Sequence, residues 1–208
     1  MAVDASMDTQ RVVLASGNAG KLREFSELLA DTGLILARQS EFGITPPPET
    51  GTTFLANALI KARNAARRTG LPAIADDSGI EVDALGGAPG VYSARYAGED
   101  ASDEANLAKL LGALAGLPDA LRTARYRCVV VFVTDTHDAH PLVGEGTWEG
   151  RSIETRRGSG GFGYDPSFVP RGDTRTVAEM PQQEKNLHSH RAQALQAFLA
   201  ALAAKARR

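Results

Sequence analysis

Apolar positions along the chain recur with two periods, and the switches between them outline a series of strands and helices. Arg11-Val-Val-Leu-Ala-Ser16 is a short apolar run that predicts a buried strand, and Gly17-Asn-Ala-Gly20 predicts the turn after it. From about Lys21 to Ala30, the residues Leu22, Phe25, Leu28 and Leu29 fall at helical spacing and offer one face to a sheet. A short strand is expected near Leu34 to Ala37. The following Thr45-Pro-Pro-Pro-Glu-Thr-Gly51 cannot be helical, because each proline disfavours the helical conformation in the residue before it. A second helix, about Thr52 to Arg68, sets Phe54, Leu55, Ala58, Leu59, Ala62, Ala65 and Ala66 on one face and Asn57, Lys61, Asn64 and Arg68 on the other.

Pro72-Ala-Ile-Ala75 then reads as a buried strand that ends in Asp76-Asp-Ser-Gly79, while Ile80-Glu-Val-Asp83 resumes strand-like alternation. Two acidic residues are thereby expected at a strand end. A glycine-rich loop, Leu85 to Gly90, leads to Tyr92 through Gly98, and Ser102 to Ala115 predicts a helix with leucines at 107, 110, 111 and 114. The segments Arg125 to Thr134 and Pro141 to Trp148, separated by the polar stretch 135–140, predict a long antiparallel hairpin. Arg157 to Pro166 forms a loop, Ser167 to Val169 a short strand, and a last helix runs from Gln182 or Ser189 to Lys205. Helices that alternate with strands, with one hairpin included, predict an α/β protein with a mixed sheet. Residues 1–10 are expected to be a flexible N-terminal tail, and 11–208 a single domain.

Composition narrows the ligand more than the fold. With 43% apolar and 23% charged residues among 208, the chain has the make-up of a soluble globular protein. A net charge of -2 exerts no long-range pull on nucleic-acid polymers or anionic membranes, so a phosphate ligand has to be held by a local site. A small nucleotide fits that better than DNA. The single cysteine, Cys128, sits in an apolar run and reads as a small buried hydrophobe, with no intramolecular disulfide to form. The first residues lack the basic region and apolar stretch of a signal peptide, and no apolar stretch nears the ~20 residues that span a bilayer. A cytoplasmic address is the expectation.

Four segments bring candidate chemistry. Ser16-Gly-Asn-Ala-Gly-Lys21 joins a strand to a helix, where free N–H groups and the helix dipole favour an anion. It is not a P-loop, since two residues separate Gly17 from Gly20 and Leu22 stands where a Ser or Thr would bind magnesium. Taken alone it is equally a tight turn with a surface lysine. Glu49, Asp76 and Asp77 supply the oxygen ligands that magnesium takes, although Asp-Asp-Ser-Gly also reads as a plain polar turn. Neighbours on a strand point to opposite faces, so one of the two aspartates reaches a metal directly unless the chain bends at Ser78-Gly79. Gly158-Ser-Gly-Gly-Phe-Gly163 fits GxGxxG, but Pro166 follows where a dinucleotide fingerprint opens a helix. A loop that lets backbone approach a ligand is the better reading, with Phe162 or Tyr164 offering a ring for a nucleobase. Lys185 and Ser189-His-Arg191 bring cationic donors to the start of the last helix; by themselves they, like Lys61, read as solvated helix faces.

In order along the chain, these segments resemble the Ham1-like inosine/xanthosine triphosphate pyrophosphatase family. The signatures are Ser16-Gly-Asn-Ala-Gly-Lys21, Glu49-Thr-Gly51, Ala75-Asp-Asp-Ser-Gly79, Gly86-Gly-Ala-Pro-Gly90, Tyr92-Ser-Ala-Arg-Tyr96, Gly161-Phe-Gly-Tyr-Asp-Pro166 and Ser189-His-Arg191. The resemblance implies a long central mixed sheet flanked by helices, two lobes with a central cleft, and a homodimer. It implies magnesium-dependent hydrolysis of ITP, dITP and XTP to the monophosphate and pyrophosphate. By the same resemblance, Ser16, Gly17, Asn18, Ala19, Gly20 and Lys21 bind the triphosphate with Lys61 assisting. Glu49 and Asp77 are magnesium ligands with Asp76 nearby, Asp77 is the general base, and Ser78 contacts substrate. Phe162, Gly163, Tyr164, Asp165, Lys185, His190 and Arg191 correspond to the nucleobase pocket. Two other readings compete. A Maf-like pyrophosphatase would share the product chemistry but is opposed by the Ser-His-Arg segment. A nucleotide-binding regulatory module without turnover would gain little from carboxylates beside a triphosphate unless a metal is present.

Overall fold

In the computed structural model, which describes residues 11–30 and 32–206, the apolar runs form six strands and five α-helices. In chain order these are β1 (Arg11–Leu14), α1 (Ala19–Leu28), β2 (Ile35–Arg38), α2 (Phe54–Thr69), β3 (Ala73–Val82), α3 (Asp103–Leu114), β4 (Thr123–Val133), β5 (Leu142–Ser152), β6 (Phe168–Pro170), α4 (Gln182–His188) and α5 (His190–Ala206). The expected tail, residues 1–10, lies outside the described residues. The strands make one mixed sheet in the order β2-β1-β3-β4-β5-β6, parallel from β2 to β3 and antiparallel beyond.

The alternation of strand side chains sorts the sheet into two faces. Val13, Ala73, Ala75, Val129, Val131 and Val133 pack against Phe54, Ala58, Ala62, Ala65 and Ala66 of α2. Alanines recur on that helix because it lies close to the sheet. The intervening residues Val12, Leu14, Ile74, Cys128, Val130 and Phe132 meet Phe25 and Leu29 of the α1 segment and Ala194, Leu195 and Phe198 of α5. Farther along the same face, Ile80, Val82, Ala124 and Tyr126 gather a separate cluster with Leu107, Leu110 and Leu114 of α3. Between Ile74 and Ile80 this face of β3 carries Asp76 and Ser78, so the two apolar clusters are parted by a polar cleft. That division is the two-lobed arrangement.

Several expectations need correction. Asp76 and Asp77 are not at a strand end: β3 is continuous and pairs with β4 from Ala73↔Val133 to Val82↔Ala124. The strand tolerates two buried carboxylates at its centre because cations reach both its faces. Asn57, expected on the polar face of its helix, is fully buried, while Leu55 on the expected apolar face is exposed. Both offered starts of the last helix are real, since α4 and α5 are separate helices that meet at Ser189. That break lets Lys185, His190 and Arg191 turn toward the sheet instead of into solvent.

Helix α5 also comes very near the sheet. Gly144 and Gly146 of β5 face it, and a Cβ at either position would overlap the backbone carbonyl of Ala194 or of His190. The two glycines therefore set the depth at which His190 and Arg191 sit.

Candidate functional site

The first wall of the cleft is the start of α1. Asn18 is extended (φ -81°, ψ 117°) and its side chain accepts the Lys21 backbone N–H at 3.0 Å, which fixes the first turn. The Asn18 N–H in turn donates to Ser16 Oγ at 3.3 Å. No acidic side chain lies in this turn, so its unpaired N–H groups and the positive end of the dipole face the cleft unopposed. Gly17, Asn18 and Ala19 are exposed there, with Ser16 and Gly20 half-buried. Gly20 is small for a reason: a Cβ would lie 2.7 Å from the Phe162 ring.

Strand parity separates the aspartates. Asp76 faces α1 and α5, where its Oδ2 meets Lys21 Nζ at 2.8 Å, accepts from Ser78 Oγ at 3.2 Å and lies 3.7 Å from Arg191 Nη2. Burial opposes its ionisation, but Lys21, Arg191 and Lys61 overcome that and hold the carboxyl well below the usual carboxylate range. Asp77 faces α2. Its Oδ1 accepts from Lys61 Nζ at 2.9 Å and its Oδ2 from Asn57 Nδ2 at 3.2 Å. Burial pushes the Asp77 carboxyl above its ordinary value, with the Glu49 charge adding to this against the pull of Lys61 and Lys21.

Glu49 arrives from the proline-rich loop and is held twice. Its Oε1 accepts from Lys61 Nζ at 2.7 Å, and Arg95 grips its Oε2 at 3.0 Å and its backbone carbonyl at 3.1 Å. One ammonium thus touches both Glu49 and Asp77, so the two carboxylates converge on a single cationic position. Among the described residues no group of three or more His, Cys, Asp or Glu side chains is placed to hold a metal ion, here or elsewhere, so the protein offers a pair of carboxylates and not a full cage. Two facing carboxylates suit magnesium, which takes one or two of them and completes its octahedron with water and phosphate oxygens. The donor set at Glu49 and Asp77 fits that ion. Asp76 is turned to the other face, where Lys21 and Ser78 engage its Oδ2 while its Oδ1 has no hydrogen-bond partner among the described residues.

The opposite wall carries a buried chain of alternating charges. Glu24 of α1 is 4% exposed and accepts from Arg191 Nη1, and it pairs with Lys185 Nζ at 2.8 Å. Lys185 also donates to Asp165 Oδ2 at 2.8 Å, and Asp165 Oδ1 accepts from Tyr126 at 3.0 Å. Arg191 continues to Ser78 Oγ at 3.1 Å and to Asp76. Over these cations lies the Phe162 ring, 4.5 Å from Lys185 Nζ. Phe162 N–H donates to Asp165 Oδ2 at 3.0 Å, and Gly163 N–H to Asp103 of α3 at 2.9 Å, which ties this loop to the second lobe. His190 stacks on Tyr126 with 4.6 Å between centroids. Burial, with Arg191 and Lys185 nearby, drives its pKa far down and keeps the ring neutral, and its Nδ1 has no hydrogen-bond partner among the described residues.

All the residues named from the sequence thus line one cleft or its supports, with two changes of role. Tyr164 is buried and its hydroxyl donates to the Ser93 carbonyl at 2.7 Å, so Phe162 alone is left as the stacking ring. Lys185 and Arg191, which read as a solvated helix face, are 3% and 1% exposed. Sequence reasoning missed Glu24, Asn57 and Arg95 as partners. Glu24 lies 167 positions from Arg191 in the chain, and no local period marks such a pairing. Asn57 carried one available signal: it stands four residues before Lys61, on the same side of the helix.

The model of the Ham1 family matches residues 12–201. A dITP/XTP pyrophosphatase of Shigella flexneri is 54% identical over 193 residues, covering 93% of this chain and 98% of the relative. Another protein of that name, from Methylococcus capsulatus, is 57% identical over 185 residues, covering 89% and 92%. The solved structure of a HAM1 protein from Coxiella burnetii superposes with a TM-score of 0.86 at 47% identity, over 93% of this chain and 98% of that one.

Proposed function

Since the chain belongs to the Ham1 family, we propose that it hydrolyses dITP, ITP and XTP to the nucleoside monophosphate and pyrophosphate, and so clears them from the nucleotide pool. The observation that carries this is the continuity of the cleft. A cavity at Phe162, Lys185, His190 and Arg191 shares Asn18, Lys21 and Glu49 with a second cavity at Ser16, Gly17 and Lys61. A base at one end and a triphosphate at the other would occupy both.

The helix start, from Ser16 through Gly20, receives phosphate oxygens on backbone N–H groups, while Lys21 and Lys61 contribute positive charge. Glu49 and Asp77 would hold magnesium, with Asp76 behind them, and when bound the ion would neutralise the triphosphate and polarise a phosphoryl oxygen. Asp77 accepts a proton from a water whose oxygen bonds to the α-phosphorus. The bond from that phosphorus to the bridging oxygen breaks, and pyrophosphate departs toward the lysines and the helix start. The reaction needs no covalent intermediate.

Base choice follows from donors. Hypoxanthine and xanthine carry an oxygen at position 6, which accepts from Arg191 or a backbone N–H of the Phe162-Gly163 loop, while Phe162 offers its face to the ring. Adenine presents an amino group there and leaves a buried donor unpaired. Ser78, bonded to Arg191, borders the sugar and α-phosphate end. His190, Tyr164 and Asp165 hold the shape of the pocket. A homodimer, a magnesium requirement and a cytoplasmic address complete this reading; no helix among the described residues is long and apolar enough to cross a membrane.

The deciding experiment incubates the protein with magnesium and, separately, ITP, XTP, ATP and GTP, and identifies the phosphorus products. Pyrophosphate from ITP and XTP with little from ATP or GTP is expected. Orthophosphate would move the cleavage site, and turnover of none would leave a binding protein.

A further inference from the structure

We propose that Asn57 is a positioning residue that fixes the orientation of Asp77 relative to the Glu49 loop. The inference rests on the reaction proposed above and deepens it. The Asn57 side chain is fully buried, and its amide is used at both ends. Nδ2 donates to Asp77 Oδ2 at 3.2 Å, and Oδ1 accepts the Gly51 backbone N–H at 2.8 Å. The two partners are of opposite kind, a carboxylate and an N–H, so the amide can sit only one way round. It is the one side chain among the described residues that hydrogen-bonds both Asp77 and the backbone of the Glu49-Thr50-Gly51 segment.

Helix geometry explains why this position works. Asn57 and Lys61 are one turn apart on α2 and reach the same carboxylate, Asn57 at Oδ2 and Lys61 at Oδ1. With one donor on each oxygen, the carboxylate plane of Asp77 cannot rotate freely. On the other side, a Cβ at Gly51 would lie 2.6 Å from Asn57 Oδ1 and 2.7 Å from the Ala56 Cβ. Gly51 therefore allows the loop to close onto the amide, and the amide registers Glu49 against Asp77. Among the described residues the Asn57 side chain hydrogen-bonds only Asp77 and Gly51, so it acts on the alignment of the acidic pair and reaches the Phe162 cavity, which Asp77 also lines, only through that carboxylate.

The test compares Asn57→Ala and Asn57→Asp with wild type and with Arg68→Ala, a change on the exposed face of the same helix. Steady-state kcat and KM for ITP and the thermal midpoint are measured for each, with KM checked by equilibrium binding. Asn57→Ala is expected to lower kcat at least tenfold while KM stays within about twofold, since small misalignments of a reacting group are costly. Asn57→Asp, which keeps the shape but sets a second carboxylate against Asp77, is expected to lower kcat at least as far. Gly51→Ala, which pushes the loop away from the amide, should reproduce the kcat loss with Asn57 intact. A lowered thermal midpoint with unchanged kcat in the folded variants would make Asn57 a structural residue only and overturn the proposal, as would a loss confined to KM. Wild-type protein that fails to turn over ITP would instead defeat the parent reaction, so the two failures are distinct.

Discussion

Asp76 and Asp77 are consecutive on β3 and serve opposite faces of the sheet: Asp76 Oδ2 meets Lys21 Nζ at 2.8 Å on the α1 side, and Asp77 Oδ1 meets Lys61 Nζ at 2.9 Å on the α2 side. Two like charges side by side are thus each matched to a different lysine from a different helix. Their replacements should differ in kind. Asp77→Asn keeps the shape and the contact with Lys61 but sets an amide NH2 against that of Asn57 and removes the proton acceptor, so turnover of ITP should fall by about 10²–10⁴ while nucleotide affinity is retained. Single-turnover rates beside equilibrium binding measure both, and unchanged turnover removes Asp77 from the role of base.

Asp76→Asn is instead a stability change. It leaves Lys21 and Arg191 facing one another in a site that is 1% exposed at position 76. Removing one partner of a buried ion pair costs about 3–5 kcal/mol, and urea unfolding at neutral pH should show a loss of that order. A midpoint equal to that of wild type would mean that water already screens this pair.

Arg191 is the clearest candidate for base readout, because its guanidinium spans Glu24 and Ser78 while Nε has no hydrogen-bond partner among the described residues. Arg191→Ala should lower the ratio of ITP to ATP turnover about tenfold or more, the worth of one hydrogen bond to a charged group. Uniformly weaker binding with the ratio preserved would make Arg191 a positioning residue.

Two buried groups predict a stability profile with two pH windows. Burial alone would raise the Glu24 carboxyl, but Arg191 and Lys185 hold it below its ordinary value. A depressed carboxylate gives stability that is complete above its unfolded pKa, about 4.3, and is lost as pH falls through the folded value. His190 is depressed by burial and by Arg191 and Lys185, so the unfolded chain takes up its proton near about pH 6.5 while the folded chain does not. Stability therefore starts to fall as pH drops through that region. Urea midpoints from pH 8 to 3 should show both slopes. His190→Asn should flatten the upper slope and Glu24→Gln the lower, and a profile level from pH 8 to 5 would mean that His190 protonates in the fold.

Gly146→Ala tests how α5 is seated. The added methyl would overlap the His190 carbonyl, so the helix has to shift and carry His190 and Arg191 with it. A destabilisation of about 1–3 kcal/mol is expected from such overpacking, with a loss of base selectivity in the folded fraction. Selectivity equal to wild type would show that the pocket tolerates movement of α5.

The sequence by itself determined the element types and pointed to a mixed sheet, because these follow from short-range periods and the order of elements, while its motifs carried the family resemblance from which one shared cleft was expected. Leu22, Phe25 and Leu29 describe their face at helical spacing, and the valines from 129 to 131 describe a buried strand, whatever surrounds them. The tertiary structure alone decided the rest. Asp76 and Asp77 read as a turn until β4 paired along all of β3 and made them central. Asn57 and Lys185 read as solvent-facing until partners from distant segments gave each polar atom a bond and made burial affordable. Glu24 became the anchor of Lys185 and Arg191 only because α5 returns over α1, and a contact between residues so far apart leaves no trace in either local pattern.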